Sequence, residues 1–187
     1  TGLNVTNKLY MKKVLVENDI PTAKYFILDK VDTSVLKTFD FPIVVKPVDC
    51  NSSKGVKKVE TIEEYKMYLK EAICYSRTKT AIIEEFKSGN EISADFYIEN
   101  GVVKYLSATS SLKIKNKNSF TILCSDYPAI SELQEKEITK IASDIAKAFN
   151  LDNCPLLIQL IEENEKFYVL EFSARMGGGS KYKLIEV

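Results

Sequence analysis

The sequence predicts an α+β fold made of two lobes, in which helices are mixed with mostly antiparallel strands. Apolar segments of strand length come in pairs joined by short turns, as around Asn100-Gly101. Amphipathic helical segments stand between them without the regular strand–helix alternation of a doubly wound parallel sheet. We therefore expect a leading helix in residues 1–19, a first lobe in residues 20–85 and a second lobe in residues 86–187.

The first lobe is predicted from short apolar strands that alternate with helical segments. The leading helix covers residues 4–18, with apolar positions roughly on one side and lysines spread around it. Thr61 followed three residues later by Glu64 forms a capping box, which predicts a helix to about Ser76. The other predicted elements are a short helix at 35–39 and strands at 25–28, 43–46, 56–59 and 81–86.

The second lobe is predicted from two hairpins and one long helix. The first hairpin pairs residues 89–98 with residues 102–107, and residues 113–119 read as a polar loop. An amphipathic pattern predicts a helix over residues 131–149. The second hairpin pairs residues 155–161 with residues 167–172 around a polar turn.

Composition excludes several classes of function. The chain has 187 residues, with 26 Lys and Arg balancing 26 Asp and Glu, so no basic excess argues for a nucleic-acid partner. No apolar run approaches the roughly 20 residues that a membrane helix needs. We expect neither a nucleic-acid partner nor a membrane partner.

The cysteines and the lack of histidine limit the chemistry. Cys50, Cys74, Cys124 and Cys154 are widely spaced and histidine is absent, so zinc and haem sites of the usual kinds are not expected. Nucleophile systems that need a histidine base are also excluded. We interpret the cysteines as four buried or semi-buried thiols of a cytoplasmic protein. Any catalysis then depends on carboxylates, lysine, arginine and a metal ion.

A row of polar side chains marks the last strand. Because strand residues alternate between faces, Glu171, Ser173 and Arg175 share one face, while Leu170 and Phe172 share the other. A carboxylate, a hydroxyl and a guanidinium in one row are poorly suited to a core. They are well suited to hold a metal-bound polyphosphate.

The opposite strand supplies a matching amide. The turn of the second hairpin places Gln159 roughly opposite Glu171, inside an otherwise apolar strand. An amide oxygen beside a carboxylate can help to complete the oxygen shell of Mg²⁺, with phosphates supplying the rest. The alternative is a hydrogen-bonded cross-strand pair on a solvated face. Arg175 in the same row favours the metal site.

A lysine beside a loop of small residues is a candidate phosphate site. Lys46 ends an apolar strand and precedes Pro47, and the amides of the nearby loop can cradle the same phosphate. The alternative is a lysine that only reaches solvent from a strand end. The candidate loop residues are Ser52, Ser53, Lys54 and Gly55.

A strand that ends in acids is a candidate hinge for a base and a ribose. Glu84, Glu85 and Phe86 close an apolar strand, so that their backbone can contact the edge of an adenine. Glu91 follows Glu84 by seven residues and can accept hydrogen bonds from ribose hydroxyls. The alternative is a solvated acidic turn.

Together these segments resemble the ATP-grasp superfamily, in the same order along the chain. Residues 7–22 are similar to the NK-x-x-MK entry helix of that family and its GIPTP exit, and residues 41–47 resemble its FPVVVKP strand. Residues 51–55 resemble its phosphate loop, although this loop is poor in glycine. The ARMGGG sequence at 174–179 is most similar to the carbamoyl-phosphate-synthetase-like and biotin-carboxylase-like branches.

The resemblance implies an ATP-dependent carboxylate–amine (or thiol) ligase that forms an acyl phosphate, with small-molecule carboxylate and amine substrates. It implies ATP between two lobes, with Mg²⁺ or Mn²⁺. The implied roles are phosphate binding for Lys8 and Lys46, adenine contact for Glu84, Glu85 and Phe86, ribose contact for Glu91, metal binding for Gln159, Glu171 and Ser173, and catalysis by Arg175 and Lys46.

Two departures from the family keep a second interpretation open. Ser173 stands where the family often has asparagine, and the phosphate loop has few glycines. The alternative is therefore a non-catalytic ATP-binding module that serves regulation or assembly. The family usually carries further segments on both sides, so we expect a homodimer or flanking domains of a longer chain. Residues 105–113 and 177–181 are candidates for the acceptor side.

Overall fold

The computed structural model of the chain describes residues 7–50, 54–113, 122–178 and 181–185. The α-helices are α1 (Lys8–Glu17), α2 (Ile62–Tyr75) and α3 (Glu132–Phe149), and 3₁₀ helices cover Ser34–Thr38 and Lys181–Leu184. The strands are β1 (Tyr25–Leu28), β2 (Ile43–Pro47), β3 (Lys57–Val59), β4 (Ala81–Glu85), β5 (Asn90–Glu99), β6 (Val102–Lys113), β7 (Ile122–Asp126), β8 (Cys154–Glu163) and β9 (Lys166–Ser173).

The strands form two antiparallel sheets. The small sheet has the order β1-β4-β2-β3, and the large sheet has the order β7-β6-β5-β8-β9. Helices together with antiparallel sheets make this an α+β fold, as the sequence predicts. Among the described residues, no helix combines the length and the apolar character that a membrane crossing requires.

The small sheet packs one face against α2. Its core contains Ile43, Val45 and Ile83 from the strands and Tyr65 and Leu69 from α2. Since strand residues alternate between faces, Val44, Lys46, Ile82 and Glu84 lie on the opposite face. That face therefore carries Lys46 and Glu84, the two buried charged residues of the small sheet.

The large sheet packs one face against α1 and α3. Ile92, Ala94 and Phe96 of β5 lie in this core together with Met11 and Leu15 of α1. Alternation places Glu91, Ser93 and Asp95 on the other face of the sheet. The large sheet thus separates an apolar core from a polar face.

Polar side chains cap the helix starts. The Asn7 side chain accepts a hydrogen bond from the Leu9 amide at the start of α1, and the predicted helical residues 4–6 lie outside the described residues. Thr61 caps α2, and the Glu64 carboxylate accepts from the amide of Glu60. A full capping box at Ser131 starts α3.

Several predicted elements differ from the structure. Residues 34–38 form a 3₁₀ turn rather than an α-helix. β6 extends to Lys113, well beyond the predicted 107, and β7 at Ile122–Asp126 was not predicted. Every β7 residue is exposed, so its sequence lacks the alternation that marks a half-buried strand. The polar loop predicted at 113–119 falls mostly outside the described residues.

The second hairpin, β8–β9, has the predicted partner of Glu171 but not the predicted core residues. Gln159 pairs with Glu171, as predicted, and Leu160 then pairs with Val169. Leu170 is the extra residue of this bulge. As a result, Val169 joins Phe172 in the core, and the prediction that Leu170 shares the core face was wrong.

Candidate functional site

Charged side chains from both sheets converge beside α1. Lys46 and Glu84 come from the polar face of the small sheet, and Glu171 comes from β9 of the large sheet. Lys8 and Lys12 come from α1, one helical turn apart, on its buried face. The expectation that lysines spread around this helix was wrong for these two, since only Lys13 is exposed. We call Lys8, Lys12, Lys46, Glu84 and Glu171 the lysine cluster.

Glu84 lies between two lysines. Its Oε2 is 2.7 Å from Lys46 Nζ, and its Oε1 is 3.1 Å from Lys12 Nζ. Glu84 is 2% exposed, Lys12 is fully buried and Lys46 is 7% exposed. Both carboxylate oxygens therefore face lysines, and the adenine contact predicted for Glu84 remains a prediction.

Burial and mutual attraction act in opposite directions on these groups. Burial raises the pKa of Glu84, but the positive charges of Lys12 and Lys46 outweigh it, so the pKa lies below its usual 4.5. For Lys12, burial is the largest effect and lowers the pKa from 10.5 to about 8, although Glu84 opposes the change. At neutral pH, two positive charges therefore share one buried carboxylate.

Lys8 connects the two sheets at the edge of the cluster. Its Nζ donates to the Cys50 carbonyl at 2.7 Å and lies 3.5 Å from Glu171 Oε2. Its backbone amide donates to the Val48 carbonyl at 3.0 Å. The loop after β2 and the strand β9 are thus brought together by one residue of α1.

The predicted metal residues lie on one edge of the large sheet. Gln159 and Glu171 are direct cross-strand partners, and Ser173 pairs with Leu157 one step along. The Glu171 side chain is 42% exposed, so one carboxylate is open to a ligand. No group of three His, Cys, Asp or Glu side chains with metal-binding geometry occurs among the described residues.

This donor set suits Mg²⁺ better than a transition metal. It consists of carboxylate, amide and hydroxyl oxygens, without sulfur or imidazole. Mg²⁺ usually takes one or two carboxylates and fills its octahedron with phosphate oxygens and water. One open glutamate with an amide beside it fits that pattern.

Arg175 follows β9 at the surface. Its amide donates to the Ser173 carbonyl at 2.9 Å, and its Nη1 donates to the Met176 carbonyl at 2.8 Å. Among the described residues, no carboxylate lies within ion-pair distance of Arg175. Its guanidinium therefore keeps donors available for an anionic ligand.

The phosphate loop is described only in part. Ser52 and Ser53 lie outside the described residues. Lys54 is exposed, and Gly55 has a φ of +72°. A Cβ at Gly55 would lie 2.9 Å from Pro47 Cγ, so glycine is required where the loop returns to β2.

The predicted hinge lies where β4 ends. Glu85 accepts from Lys87 Nζ at 2.8 Å, and Lys58 Nζ lies 4.5 Å from the centre of the Phe86 ring. A cavity of about 320 Å³ adjoins Glu85 and Phe86 and includes none of the cluster lysines. Its remaining lining residues are Lys24, Thr38, Phe39, Asp40, Phe41 and Pro42.

The predicted ribose acid is engaged within the protein. Glu91 Oε2 accepts a hydrogen bond from Lys113 Nζ, which comes from the neighbouring strand β6. The Glu91 side chain is 13% exposed. A ribose would therefore meet a carboxylate already oriented by a lysine.

Sequence analysis missed Lys12, Lys87 and Lys58 as parts of the site. Lys12 carried a signal: it stands beside Met11 and one turn from Leu15 on the apolar side of α1. Lys87 follows the hinge and pairs with Glu85, two residues before it, and with Glu163 of β8, which is distant in the sequence. A distant partner of this kind is not visible in the local sequence.

A second buried charge pair was also missed. Asp95 is fully buried, accepts from the Gly177 amide at 2.6 Å, and lies 3.3 Å from Lys181 Nζ. A Cβ at Gly177 would lie 2.9 Å from both Asp95 oxygens. The alternation of Ser93 and Asp95 with apolar residues in β5 was the available signal. This pair fastens the segment after Arg175 to the polar face of the large sheet.

Comparison with known proteins shows the family of the chain. The sequence model of the ATP-grasp domain family matches residues 39–183. D-alanine–D-alanine ligase A of Clostridium perfringens is 28% identical over 178 residues, which cover 89% of this chain and 56% of that protein. The carbamoyl phosphate synthase large chain of Caldanaerobacter subterraneus subsp. tengcongensis is 27% identical over 174 residues, which cover 87% of this chain and 15% of that protein.

Solved structures agree in fold. The biotin carboxylase of Campylobacter jejuni, crystallised as a β-γ-ATP complex, matches with a TM-score of 0.84 at 17% identity, over 98% of this chain and 43% of that chain. Both branches named from the sequence are thus among the matches, which confirms the resemblance. The chain spans little more than half the length of the ligase relative and far less of the synthase.

Proposed function

Because this chain belongs to the ATP-grasp family, we propose that it binds MgATP between its two sheets and activates a carboxylate for attack by an amine. The observation that carries the proposal is the lysine cluster. Three buried or nearly buried lysines lie beside an open glutamate on the facing strand. That arrangement offers positive charge for phosphates and one carboxylate for a divalent cation.

The proposed reaction has two steps. An oxygen of the substrate carboxylate attacks the γ-phosphorus in line, the bond to the β–γ bridging oxygen breaks, and ADP leaves. The amine nitrogen then attacks the carbonyl carbon of the acyl phosphate and loses a proton, while phosphate departs with the former carboxylate oxygen. The protein mainly positions the reactants and neutralises charge.

Each site residue has a proposed role in this scheme. Lys8 and Lys46 bind the phosphates, with Lys46 held by Glu84. Arg175 stabilises the transferred phosphoryl group with its free donors. Gln159, Glu171 and Ser173 would hold Mg²⁺ or Mn²⁺, which would supply positive charge to the phosphates.

The adenine base and the ribose are proposed to bind at the hinge, the segment where β4 ends. Glu85 and Phe86 line the cavity beside β4, and Phe86 offers an aromatic face beside Lys58. We propose that adenine enters next to this segment and that Glu91 contacts the ribose. The similar fold of a D-alanine–D-alanine ligase from Bacillus anthracis, solved as a complex with ATP, supports a nucleotide site in this fold.

The substrates and the setting follow the same proposal. One relative is a D-alanine–D-alanine ligase by name, so we propose small-molecule carboxylate and amine substrates. The four cysteines are free thiols, but Cys74 and Cys124 are exposed, so the expectation of buried or semi-buried thiols was wrong for these two. We also propose a cytoplasmic location, where free thiols stay reduced. The whole protein is proposed to act with flanking domains or as a homodimer.

Thermal denaturation with nucleotide tests the proposed site. A ligand that binds only the native state at a hundred times its Kd adds about 2.7 kcal/mol of stability. We expect AMP-PNP to raise the Tm in the presence of Mg²⁺, and GTP or AMP to raise it less. Absence of any nucleotide-dependent rise would contradict the proposed site.

Trapping of the acyl phosphate tests the reaction itself. Hydroxylamine added with ATP and a panel of carboxylates converts an acyl phosphate to a hydroxamate, which is detected by its iron complex. A hydroxamate that depends on ATP and on one carboxylate supports the ligase. Nucleotide binding without hydroxamate or ADP in the full-length protein would instead support the non-catalytic module.

A further inference from the structure

We propose that Lys12 is a positioning residue that ties the phosphate-binding lysine of the small sheet to the metal strand of the large sheet. The inference rests on the proposed function, because it uses the roles assigned to Lys46 and Glu171. It concerns a side chain that is fully buried and therefore does not itself contact a ligand in this arrangement.

The contacts of Lys12 lead to two separate parts of the fold. Its Nζ lies 3.1 Å from Glu84 Oε1 on the small sheet. The same nitrogen donates to Thr22 Oγ1 at 2.5 Å and to the Val169 carbonyl of β9 at 3.3 Å. One ammonium group thus connects β4 of the small sheet with β9 of the large sheet.

On the small-sheet side, the connection continues directly to Lys46. The other oxygen of Glu84 holds Lys46 Nζ at 2.7 Å. Because each carboxylate oxygen lies within ion-pair distance of a buried or nearly buried lysine, the two lysines orient the Glu84 side chain. The position of Lys46 Nζ is therefore fixed through Glu84 to Lys12.

On the large-sheet side, the connection continues to the proposed metal residue. Val169 lies two residues before Glu171 on β9, and its amide donates to the Pro21 carbonyl at 2.8 Å. Thr22 Oγ1 also donates to the Val169 carbonyl at 2.7 Å. Lys12 and Thr22 thus fasten the strand segment that presents Glu171.

Stability alone does not explain a lysine at this position. Lys12 lies beside Met11 and Leu15 on the core side of α1, where an apolar side chain would pack without a desolvation cost. Buried ion pairs are often no more stabilising than well-packed apolar residues. A fully buried lysine that links two groups of the site is better explained by positioning.

Lys8 makes a parallel connection but differs in kind. It lies one turn earlier on α1 and reaches Glu171 Oε2 at 3.5 Å, at the accessible edge of the cluster. Lys8 is proposed to bind phosphate directly, whereas Lys12 acts through Glu84 and Val169. Through these two lysines, α1 connects the small sheet with the large sheet.

The test measures how strongly Mg²⁺ improves AMP-PNP affinity, as the ratio of Kd without Mg²⁺ to Kd with Mg²⁺. Lys12→Met is compared with the parent chain and with Lys13→Met, the exposed neighbour on the same helix. A general structural defect weakens both Kd values alike and leaves the ratio unchanged. A positioning defect lowers the ratio, because phosphate and metal residues no longer meet at the same place.

We expect Lys12→Met to lower this ratio at least fivefold, while Lys13→Met leaves it within twofold. Thr22→Val removes the hydroxyl between Lys12 and Val169 without a new buried charge, and we expect a reduction of about threefold. It serves as the second variant if Lys12→Met folds poorly.

The outcomes separate this inference from the proposed function. A parent chain that binds no nucleotide overturns both. A parent chain that binds with a clear Mg²⁺ effect, together with unchanged ratios in both variants, overturns the role of Lys12 alone. Reduced ratios in Lys12→Met and Thr22→Val, but not in Lys13→Met, support it.

Discussion

The two glutamates of the lysine cluster differ in almost every physical respect. Glu84 is 2% exposed and bonded to two lysines, whereas the Glu171 side chain is 42% exposed with Lys8 at 3.5 Å. The small sheet thus presents charges that are already paired and fixed. The large sheet presents a carboxylate that still has free lone pairs. In the proposed function, the small sheet contributes to the binding of the anion and the large sheet to the binding of the cation.

The largest expected effect on stability comes from removing the charge of the buried glutamate, Glu84. Glu84→Gln leaves Lys12 and Lys46 close together without a compensating charge. We expect a loss of about 3–5 kcal/mol in unfolding free energy, the usual cost of breaking a buried pair, measured by urea denaturation. Glu171→Gln is the matched control, with an expected change below about 1 kcal/mol. Equal losses in both variants would contradict the comparison.

The exposed glutamate, Glu171, is tested by the Mg²⁺ dependence of nucleotide affinity and not by stability. Glu171→Gln removes the charge that the proposed cation needs. We expect the Kd for AMP-PNP in the presence of Mg²⁺ to rise at least tenfold, or about 1.4 kcal/mol, with little change without Mg²⁺. Isothermal titration calorimetry measures both values. Glu165→Gln in the exposed β8–β9 turn is the control, and an equal effect there would refute the assignment.

The pH dependence of stability distinguishes the buried groups. Lys12 has a native pKa of about 8 against 10.5 in the unfolded chain, so between these values the unfolded state binds more protons. Stability attributable to Lys12 therefore increases as pH rises from 8 towards 10.5, by up to about 3 kcal/mol. Lys12→Met should lack this increase in paired urea titrations. If the unfolding free energies of the parent chain and Lys12→Met change in parallel with pH, the lowered pKa of Lys12 is contradicted.

Glu84 adds a second dependence at acid pH, in the same direction: stability again rises with pH, because its native pKa also lies below the unfolded value. Because its native pKa lies below 4.5, its contribution is present above 4.5 and is lost as pH falls through the lowered native value. The parent chain should lose more stability on acidification than Glu84→Gln. Tm values recorded from pH 6 downwards give the comparison.

The smallest expected effect concerns Ser173, one of the proposed metal residues. Ser173→Asn replaces a hydroxyl by an amide oxygen, which is the residue type often found there in the resembled family. We expect Mg²⁺ to be required at about threefold lower concentration for half-maximal stabilisation by AMP-PNP. An unchanged or weaker Mg²⁺ requirement would show that Ser173 does not face the metal.

The predictions from sequence succeeded where neighbouring residues set the geometry. The hairpin turn fixes the register of β8 and β9, so the pairing of Gln159 with Glu171 was predictable. The cap at Thr61 was equally local. Helix starts and cross-strand partners follow from residues within a few positions of one another.

The parts that were missed depend on distant contacts. Lys12 meets Val169 across 157 residues, and Asp95 meets Lys181 across 86. The bulge at Leu170 changes which residue enters the core without any glycine or proline to mark it. The polar side chains of the site could be named from the sequence. The lysine that links them could not be recognised before the two sheets were placed together.

The most direct test of the account is calorimetric titration of the parent chain with AMP-PNP, with and without Mg²⁺. We predict a Kd at least tenfold lower with Mg²⁺, because the fixed lysines bind the phosphates while Glu171 supplies the charge for the cation. Equal affinity under both conditions, or no binding in either, would contradict the division of the site into an anion side and a cation side.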